Sequence, residues 1–595
     1  MVVFLRVAAR RCAPHIRGAC AWARRNPGLA LLGLALAAAI ALYAPTLTAQ
    51  YVNSDDNWLV RDNALVREPT WEHVHTILFD LDPAHRFSVG VEYLPVRDLS
   101  YALDYAVWGD WLPGFHLTNL LLYLAAIALW FFVLDGFGVD RTVCGLAMLV
   151  WALHPAHAQS VAWLAERKGL LGVAFSGLAA LGYVRFRAGR SFAWLALALA
   201  ATLLAVWSKA HAAFAIAALA PLELLLPGGS RRRALVGLGA LGLVAALAFV
   251  PVFKVMSSTN IIGSAPDGKL GFVLGVHGFY VRLAAMTIAN AYTYPLATQG
   301  PSGLEIGLGA VALAAVLIGL LPRWPRPVRA GCALWLVGWF PVSHLLLPLQ
   351  MILIADRYML VPSLGLALVV GYGLSRVRRG RALVVAVIAF AAAARAFVAQ
   401  ADWHDARAMW GRAVESDPAD GDAWSMYAGA LDEANEHAAA AAAIAEGERH
   451  SVGPRLVLHQ ALQELAAGQR DAGIATMKRA AEAGDERAMA NYALLTGEIA
   501  WARRATVTAP MLVTGWRALG KLALAAHPDE AREAFAHALV LEPGSCANRY
   551  NLALADLALD RAADALPLLD ACATDGPLRE PIGTALREAH RRLGR

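Results

Sequence analysis

Long apolar runs separated by short arginine-rich connections fill the first two thirds of the chain. Runs able to cross about 30 Å of hydrocarbon, roughly 17–25 residues each, fall near 28–48, 114–135, 142–163, 169–186, 192–208, 211–228, 234–253, 303–321, 331–349, 356–375 and 382–400. This pattern predicts eleven membrane helices. From about 402 the apolar positions thin to the spacing of amphipathic helices, alanine and charge rise, and no run is long enough to span. The chain therefore reads as all-α: a basic segment 1–27, a polytopic membrane helical bundle over 28–401, and a soluble helical domain over 402–595.

Charge placement orients the bundle. Arg6, Arg10, Arg11, Arg17, Arg24 and Arg25 precede the first run, which puts the N-terminus in the cytoplasm and sends the first span outward. A cleaved signal peptide is the rival, because Leu47-Thr48-Ala49 resembles a cleavage site. The run of about twenty residues exceeds the roughly 7–15 of a signal core, which favours an anchor. Every second connection should then be basic, and Arg141, the group Arg185, Arg187 and Arg190, Arg231 to Arg233, the group Arg323, Arg326 and Arg329, and the group Arg376, Arg378, Arg379 and Arg381 obey that parity. Segment 271–295 is nearly apolar enough to span, but counting it would turn later arginine clusters outward. It is expected to be interfacial or re-entrant, with His277 and Arg282 lining a protein cavity.

Composition agrees. Of 595 residues 58% are hydrophobic and 16% charged, against roughly 45–50% and about 25% in soluble domains. Disorder is excluded, and six cysteines (Cys12, Cys20, Cys144, Cys332, Cys546 and Cys572) are too few for a disulfide scaffold. The net charge of +6 does not imply nucleic acid, since the arginines sit between spans where bilayer orientation accounts for them.

In the soluble domain, Trp516, Leu519, Gly520, Phe535, Ala538 and Pro543 fit a tetratricopeptide unit one residue short of the usual period of about 34. Leu552, Ala553, Ala565, Leu569 and Pro577 follow in the next unit, and Trp424, Tyr427, Ala428 and Ala440 mark an earlier one. Ala406, Trp410, Ala413 and Pro418 have the spacing of a second repeat helix, so an α-solenoid of four or five units is expected directly after the last span. Cys546 and Cys572 fall at the same end of one helical hairpin, which predicts a disulfide in an oxidising compartment.

Candidate chemistry concentrates in the outward loop 49–113, too long for a plain connector. Asp55 and Asp56 stand side by side just past the first span, where adjacent carboxylates are costly unless a cation, a metal or a reacting group compensates. Either can serve as a general base, or merely cap the following helix. Further along come Glu92, Tyr93, Arg97 and His116. His154 and His157, then Arg167 and Lys168, lie on the same outer side by parity. The two histidines could share a metal at i, i+3, but Pro155 between them and the lack of a further ligand argue against zinc.

Taken together, the Asp55-Asp56 pair, Tyr93-Leu94-Pro95 leading to Leu99-Ser100-Tyr101-Ala102-Leu103-Asp104, His116-Leu117-Thr118-Asn119, Leu153-His154-Pro155-Ala156-His157 with Ser160-Val161-Ala162-Trp163, and Asp356-Arg357-Tyr358-Met359-Leu360-Val361-Pro362-Ser363-Leu364-Gly365 resemble the transmembrane and tetratricopeptide-repeat (TMTC) O-mannosyltransferases. The resemblance implies a GT-C glycosyltransferase fold, an outward repeat domain, and transfer of a sugar from a polyprenyl-phosphate carrier to a hydroxyl, with protein Ser/Thr expected. On that reading Asp55 or Asp56 is the base. Arg357, Lys168, Arg167, Lys209, His154 and His157 are candidates for the donor phosphate, and Glu92, Tyr93, Arg97, His116 and Tyr358 for substrate contacts. Two departures stand out: Leu94 follows Tyr93 where many members have arginine, and Lys209-Ala210-His211 lacks the family's carboxylate.

A single donor phosphate can be neutralised by these side chains, so neither a metal nor another cofactor is expected. The partners expected are the lipid-linked sugar, an acceptor protein or glycan held by the repeats, and membrane lipid. The alanine-rich composition points to a bacterial inner membrane with the repeats in the periplasm. A lipid-linked oligosaccharide polymerase or ligase, and a non-enzymatic repeat scaffold on a membrane anchor, are the alternatives.

Overall fold

The computed structural model describes residues 21–82, 86, 92–258, 268–346, 353–451, 453–542, 544–572 and 578–594. Most of the basic segment 1–27, Cys12, Cys20, Pro543 and Pro577 lie outside them. All regular structure among the described residues is helical, as the periodicity predicts. They divide into two compact units. One takes in residues up to Arg61, Leu65–Leu78 and Tyr93–Arg412, the other Asp62–Ala64, Phe79–Glu92 and Ala413–Arg595.

Each apolar run in the first unit carries helix, but they are not eleven long spans. Among the described residues five helices are long and apolar enough to cross a membrane: Pro27–Thr48, Leu112–Gly136, Leu164–Arg187, Arg231–Ser258 and Arg381–Ala401. Proline interrupts several of the other runs. The run at 142–163 stops as the helix Arg141–Ala152 because His154 precedes Pro155 and leaves the helical region. In the run at 356–375 the helix begins only at Pro362, whose missing N–H suits the first helical position. Caps fix other starts: the Asp140 carboxylate accepts from the N–H groups of Thr142 and Val143 at 2.9 and 3.2 Å. Ser302 and Glu305 form a reciprocal capping box.

The bundle is apolar outside as well as inside. On Arg231–Ser258 the buried positions Ala234, Gly237, Leu241, Ala245, Ala248, Val252 and Val255 recur every three or four residues. Leu235, Leu243, Leu247 and Val250 face outward with more than half their surface exposed or close to it. An outward face of leucine and valine suits a bilayer, and the unit has multi-pass membrane character. Its interior packs Tyr43, Tyr123, Trp130 and Trp151. Segment 271–295 carries a helix, Lys269–Ala284, whose polar groups are satisfied by packed protein: His277 lies between the Gly309 carbonyl at 3.0 Å and the Trp335 indole N–H at 2.9 Å. Arg282 pairs with Glu305 at 2.9 Å.

In the second unit each helix packs mainly on its neighbours in sequence, the arrangement of a solenoid. The small positions of the repeat do what the spacing implies. A Cβ at Gly520 would sit 2.5 Å from the Phe535 ring, so only glycine lets the paired helices Val513–Ala523 and Pro528–Leu541 approach as they do. Cys546 and Cys572 form the expected disulfide, while Cys144 and Cys332 are unpaired.

Candidate active site

The candidate site is organised around one short turn. After the proline break, Ala158–Ala162 is a single helical turn, and Trp163 in extended conformation leads into a 3-10 turn over Leu164–Glu166. Segments far apart in sequence are fastened to this turn. Asp56 is buried, and its carboxylate accepts from the backbone N–H of Ala165 at 2.8 Å and of Val52 at 3.2 Å. The Tyr101 hydroxyl, from the helix Pro95–Trp108, donates to the Leu164 carbonyl at 2.9 Å. The Trp163 ring stacks on Trp403 and meets Tyr292 edge-on.

Glu166 is the hub for positive charge. Its carboxylate is fully buried and bridges two cations, the Lys209 ammonium and the Arg357 guanidinium at 3.5 Å. The close approach needs Gly169, where a Cβ would lie 2.4 Å from a Glu166 oxygen. Lys209 reaches the spot because the helix Phe192–Ser208 ends and the chain turns extended there. Burial pushes its ammonium pKa down, against the upward pull of Glu166. Arg357 is held by its surroundings: its backbone N–H donates to the Gln159 side chain at 2.8 Å, and its guanidinium lies 5.3 Å from both the Trp163 and Tyr358 ring centres. One terminal nitrogen, Nη1, is buried without a hydrogen-bond partner among the described residues. The preceding Asp356 carboxylate accepts from the Tyr294 hydroxyl and from Asn290 at 2.7 Å.

Beside this cluster opens a cavity of about 480 Å³, its mouth included. Lys209, His211, Arg357 and Tyr358 give it a basic and aromatic end, and Val173, Phe214, Val342 and Leu360 an apolar wall. Neither aspartate lines it. Asp55 is half-buried and within Coulomb range of Arg357 and Tyr292. Asp56 differs: burial pushes its carboxyl up to about 7, although two backbone N–H groups hold it down.

The other candidates are placed as follows. Lys168 is half-buried within Coulomb range of Lys209 and Tyr292. Arg167 turns away: it pairs with Asp104 at 2.6 Å and donates to Asn119 and the Phe115 carbonyl, each at 2.8 Å. His157 is enclosed between the Tyr123 hydroxyl and Ser363, each at 2.8 Å. His154 is buried with its ring 3.3 Å from the Ala284 carbonyl. Arg97 pairs with its neighbour Asp98 at 2.7 Å, both buried. The Tyr93 hydroxyl donates to the Leu78 carbonyl at 2.7 Å, His116 is buried, and Glu92 is half-buried. The structure thus brings together Asp55, Lys168, Lys209, Arg357 and Tyr358, and ties Arg167, His157 and Arg97 into internal networks. Glu166 and Gln159 escaped the sequence reading. A signal existed, since Lys209 lacks an adjacent carboxylate and needed one from elsewhere, and Glu166 stands beside two cations in sequence.

The motifs resemble a class of membrane-bound sugar transferases, and comparison with known proteins returns that class. The curated relatives that match are TMTC O-mannosyltransferases. They include protein O-mannosyl-transferase Tmtc1 of Drosophila melanogaster, 28% identical over 258 residues, 43% of this chain and 29% of that protein. Mouse protein O-mannosyl-transferase TMTC2 is 27% identical over 158 residues, 26% of this chain and 18% of that protein. The matches thus span less than a third of those relatives' length. No family model matches the chain. Among solved structures, the Archaeoglobus fulgidus oligosaccharyltransferase in the apo form aligns with a TM-score of 0.38 at 14% identity, over 68% of this chain and 58% of that one. The P58(IPK) TPR domain aligns with a TM-score of 0.19 at 13% identity, over 71% of this chain and 98% of that one.

Proposed function

We propose that this chain is a membrane glycosyltransferase of GT-C type that moves a sugar, mannose by the names of its relatives, from a polyprenyl-phosphate carrier to a protein hydroxyl on the outer face of the membrane. Residues 28–401 form the catalytic domain and 402–595 the acceptor-holding repeats on this reading. The observation that carries it is a cavity with a basic end and an apolar wall beside the turn to which Asp56 is fastened, with Asp55 within Coulomb range of Arg357. A lipid-linked donor needs the first two together, because its headgroup is an anion and its tail is hydrocarbon.

The chemistry follows from the positions. The acceptor oxygen forms a bond to the anomeric carbon while the bond from that carbon to the phosphate oxygen breaks. Asp55 takes the hydroxyl proton, since it is half-buried and lies within Coulomb range of Arg357. The charge left on the phosphate falls to Arg357, whose planar fork has a nitrogen still to satisfy, and to Lys209. Asp56 is a positioning residue: it pins the start of the loop to Ala165 and so sets the depth of Asp55. Glu166 holds the two cations together and Tyr358 flanks them. Arg167 and His157 have structural work instead.

The test uses the full chain in detergent, radiolabelled polyprenyl-phosphate mannose and an acceptor protein rich in Ser and Thr. Asp55→Asn is expected to lower transfer by about 10³-fold, within the range for loss of a general base, with the melting temperature kept. Transfer at the wild-type rate by Asp55→Asn removes the base assignment, and no transfer from any polyprenyl-phosphate sugar by the wild type removes the donor class.

A further inference from the structure

A second apolar space lies away from this cluster, on the arginine-rich side of the same unit. Two cavities of about 960 and 1100 Å³, mouths included, share Leu146, Leu149, Leu153, Val385 and Ala389 and so form one groove. Its walls are the helices Pro27–Tyr43, Arg141–Ala152, Pro362–Arg376 and Arg381–Ala401. It is wide because the last helix presents Ala382, Ala386, Ala389 and Ala392 to it, turning Leu383, Val387 and Phe390 outward.

The two ends differ. At one, Pro27, Thr142 and Arg381 line the groove, so three helices begin there together. None of Arg24, Arg25, Arg378, Arg379 and Arg381 has a carboxylate partner among the described residues, while nearby Arg141 is neutralised by Asp135 at 2.9 Å. At the other end the lining is His154, Met286 and Ala392. From Arg381 to Ala392 the helix rises about 16 Å at 1.5 Å per residue, close to half of a hydrocarbon core of about 30 Å. The groove is one leaflet deep, hydrocarbon along its length, and basic at its mouth.

We propose that this groove binds an anionic phospholipid of the arginine-rich leaflet, its acyl chain against Leu146, Leu149 and Ala389 and its phosphate at Arg381. An acyl chain matches both the depth and the lining, and only an anionic headgroup uses the unpaired arginines. The lipid wedges the last helix against Arg141–Ala152, bridging a contact that alanine side chains are too small to make.

Native mass spectrometry of the full chain in detergent, titrated with dioleoylphosphatidylglycerol or dioleoylphosphatidylcholine, tests it. The wild type should bind one phosphatidylglycerol about fivefold more tightly than phosphatidylcholine, the effect of one arginine at an anionic surface. Arg381→Gln, at an exposed position, should abolish the preference, and Arg323→Gln in another basic connection should keep it. Ala389→Trp should fill the groove and lower binding of both lipids at least tenfold. Equal affinity for the two lipids in the wild type, an undiminished preference in Arg381→Gln, an equal loss in Arg323→Gln, or a polyprenyl phosphate as the lipid retained on extraction would each overturn the assignment.

Discussion

The two units solve the same problem, burying helices, by opposite means. In the repeat unit the contacts are local: Phe535 covers Gly520 within one hairpin, and each helix leans on the next. In the membrane unit the polar contacts that matter join residues distant in sequence, Lys209 to Glu166 at 43 positions, Asp56 to Ala165 at 109 and Arg357 to Gln159 at 198. The difference teaches where each unit stores information. A solenoid repeats one short-range rule, so a fault stays where it is made. A membrane bundle has few polar groups, and each becomes a crosslink whose loss reaches several segments, because the surroundings offer no water as a replacement partner.

The sharpest way to break this contrast is at Arg357. Arg357→Gln removes the charge that faces the donor phosphate on the proposed reading, and should lower transfer by about 10²–10³-fold, the usual cost of losing one such stabilising donor. A loss below tenfold in a transfer assay would mean that the phosphate rests elsewhere. Next comes Glu166→Gln, which leaves Lys209 buried beside a neutral partner and should destabilise the membrane unit by about 3 kcal/mol, with transfer falling too. Chemical unfolding in detergent would show it, and a variant as stable as wild type would mean that the pair is not an organising contact.

The complementary variant is Phe535→Ala, expected to cost about 3 kcal/mol in the repeat unit. Hydrogen exchange should quicken in Val513–Ala523 and Pro528–Leu541 while Leu112–Gly136 is unchanged. Spread into the membrane helices would contradict the local character of the solenoid.

The smallest effect concerns Asp56. Its carboxyl titrates near 7 in the fold and near about 3.9 in an unfolded chain. The folded protein therefore holds the extra proton between those values, and the stability due to this group is full below about pH 4 and is lost as the pH rises through about 7. Wild type should lose melting temperature between pH 5 and pH 8 relative to Asp56→Asn, by a few degrees. Parallel profiles for the two proteins would show that burial does not shift this carboxyl.

Much of this was legible in the chain. The repeat hairpins, the Cys546–Cys572 bond and the position of every apolar run followed from periods and spacings, because those are local properties. The site was half legible. Asp55, Lys209, Arg357 and Tyr358 stood out by residue type at span ends, but Arg167 was indistinguishable from Lys168 until their partners were visible. Both are basic and adjacent on one helical turn, and only the packing of the helices Pro95–Trp108 and Leu112–Gly136 turned Arg167 inward onto Asp104 and Asn119.

By itself, then, the sequence determined the helical class, the division into an apolar and a repetitive part, and the charged residue types present at the ends of the apolar runs. Tertiary structure decided which of those residues face one another, which of two neighbouring aspartates is pinned by backbone, and that the counter-charge for Lys209 comes from Glu166. The reason is one of range. Hydropathy and helical period act over a few residues and can be read in order, whereas a buried charge is satisfied by whatever the fold brings within a few ångströms, without regard to chain distance.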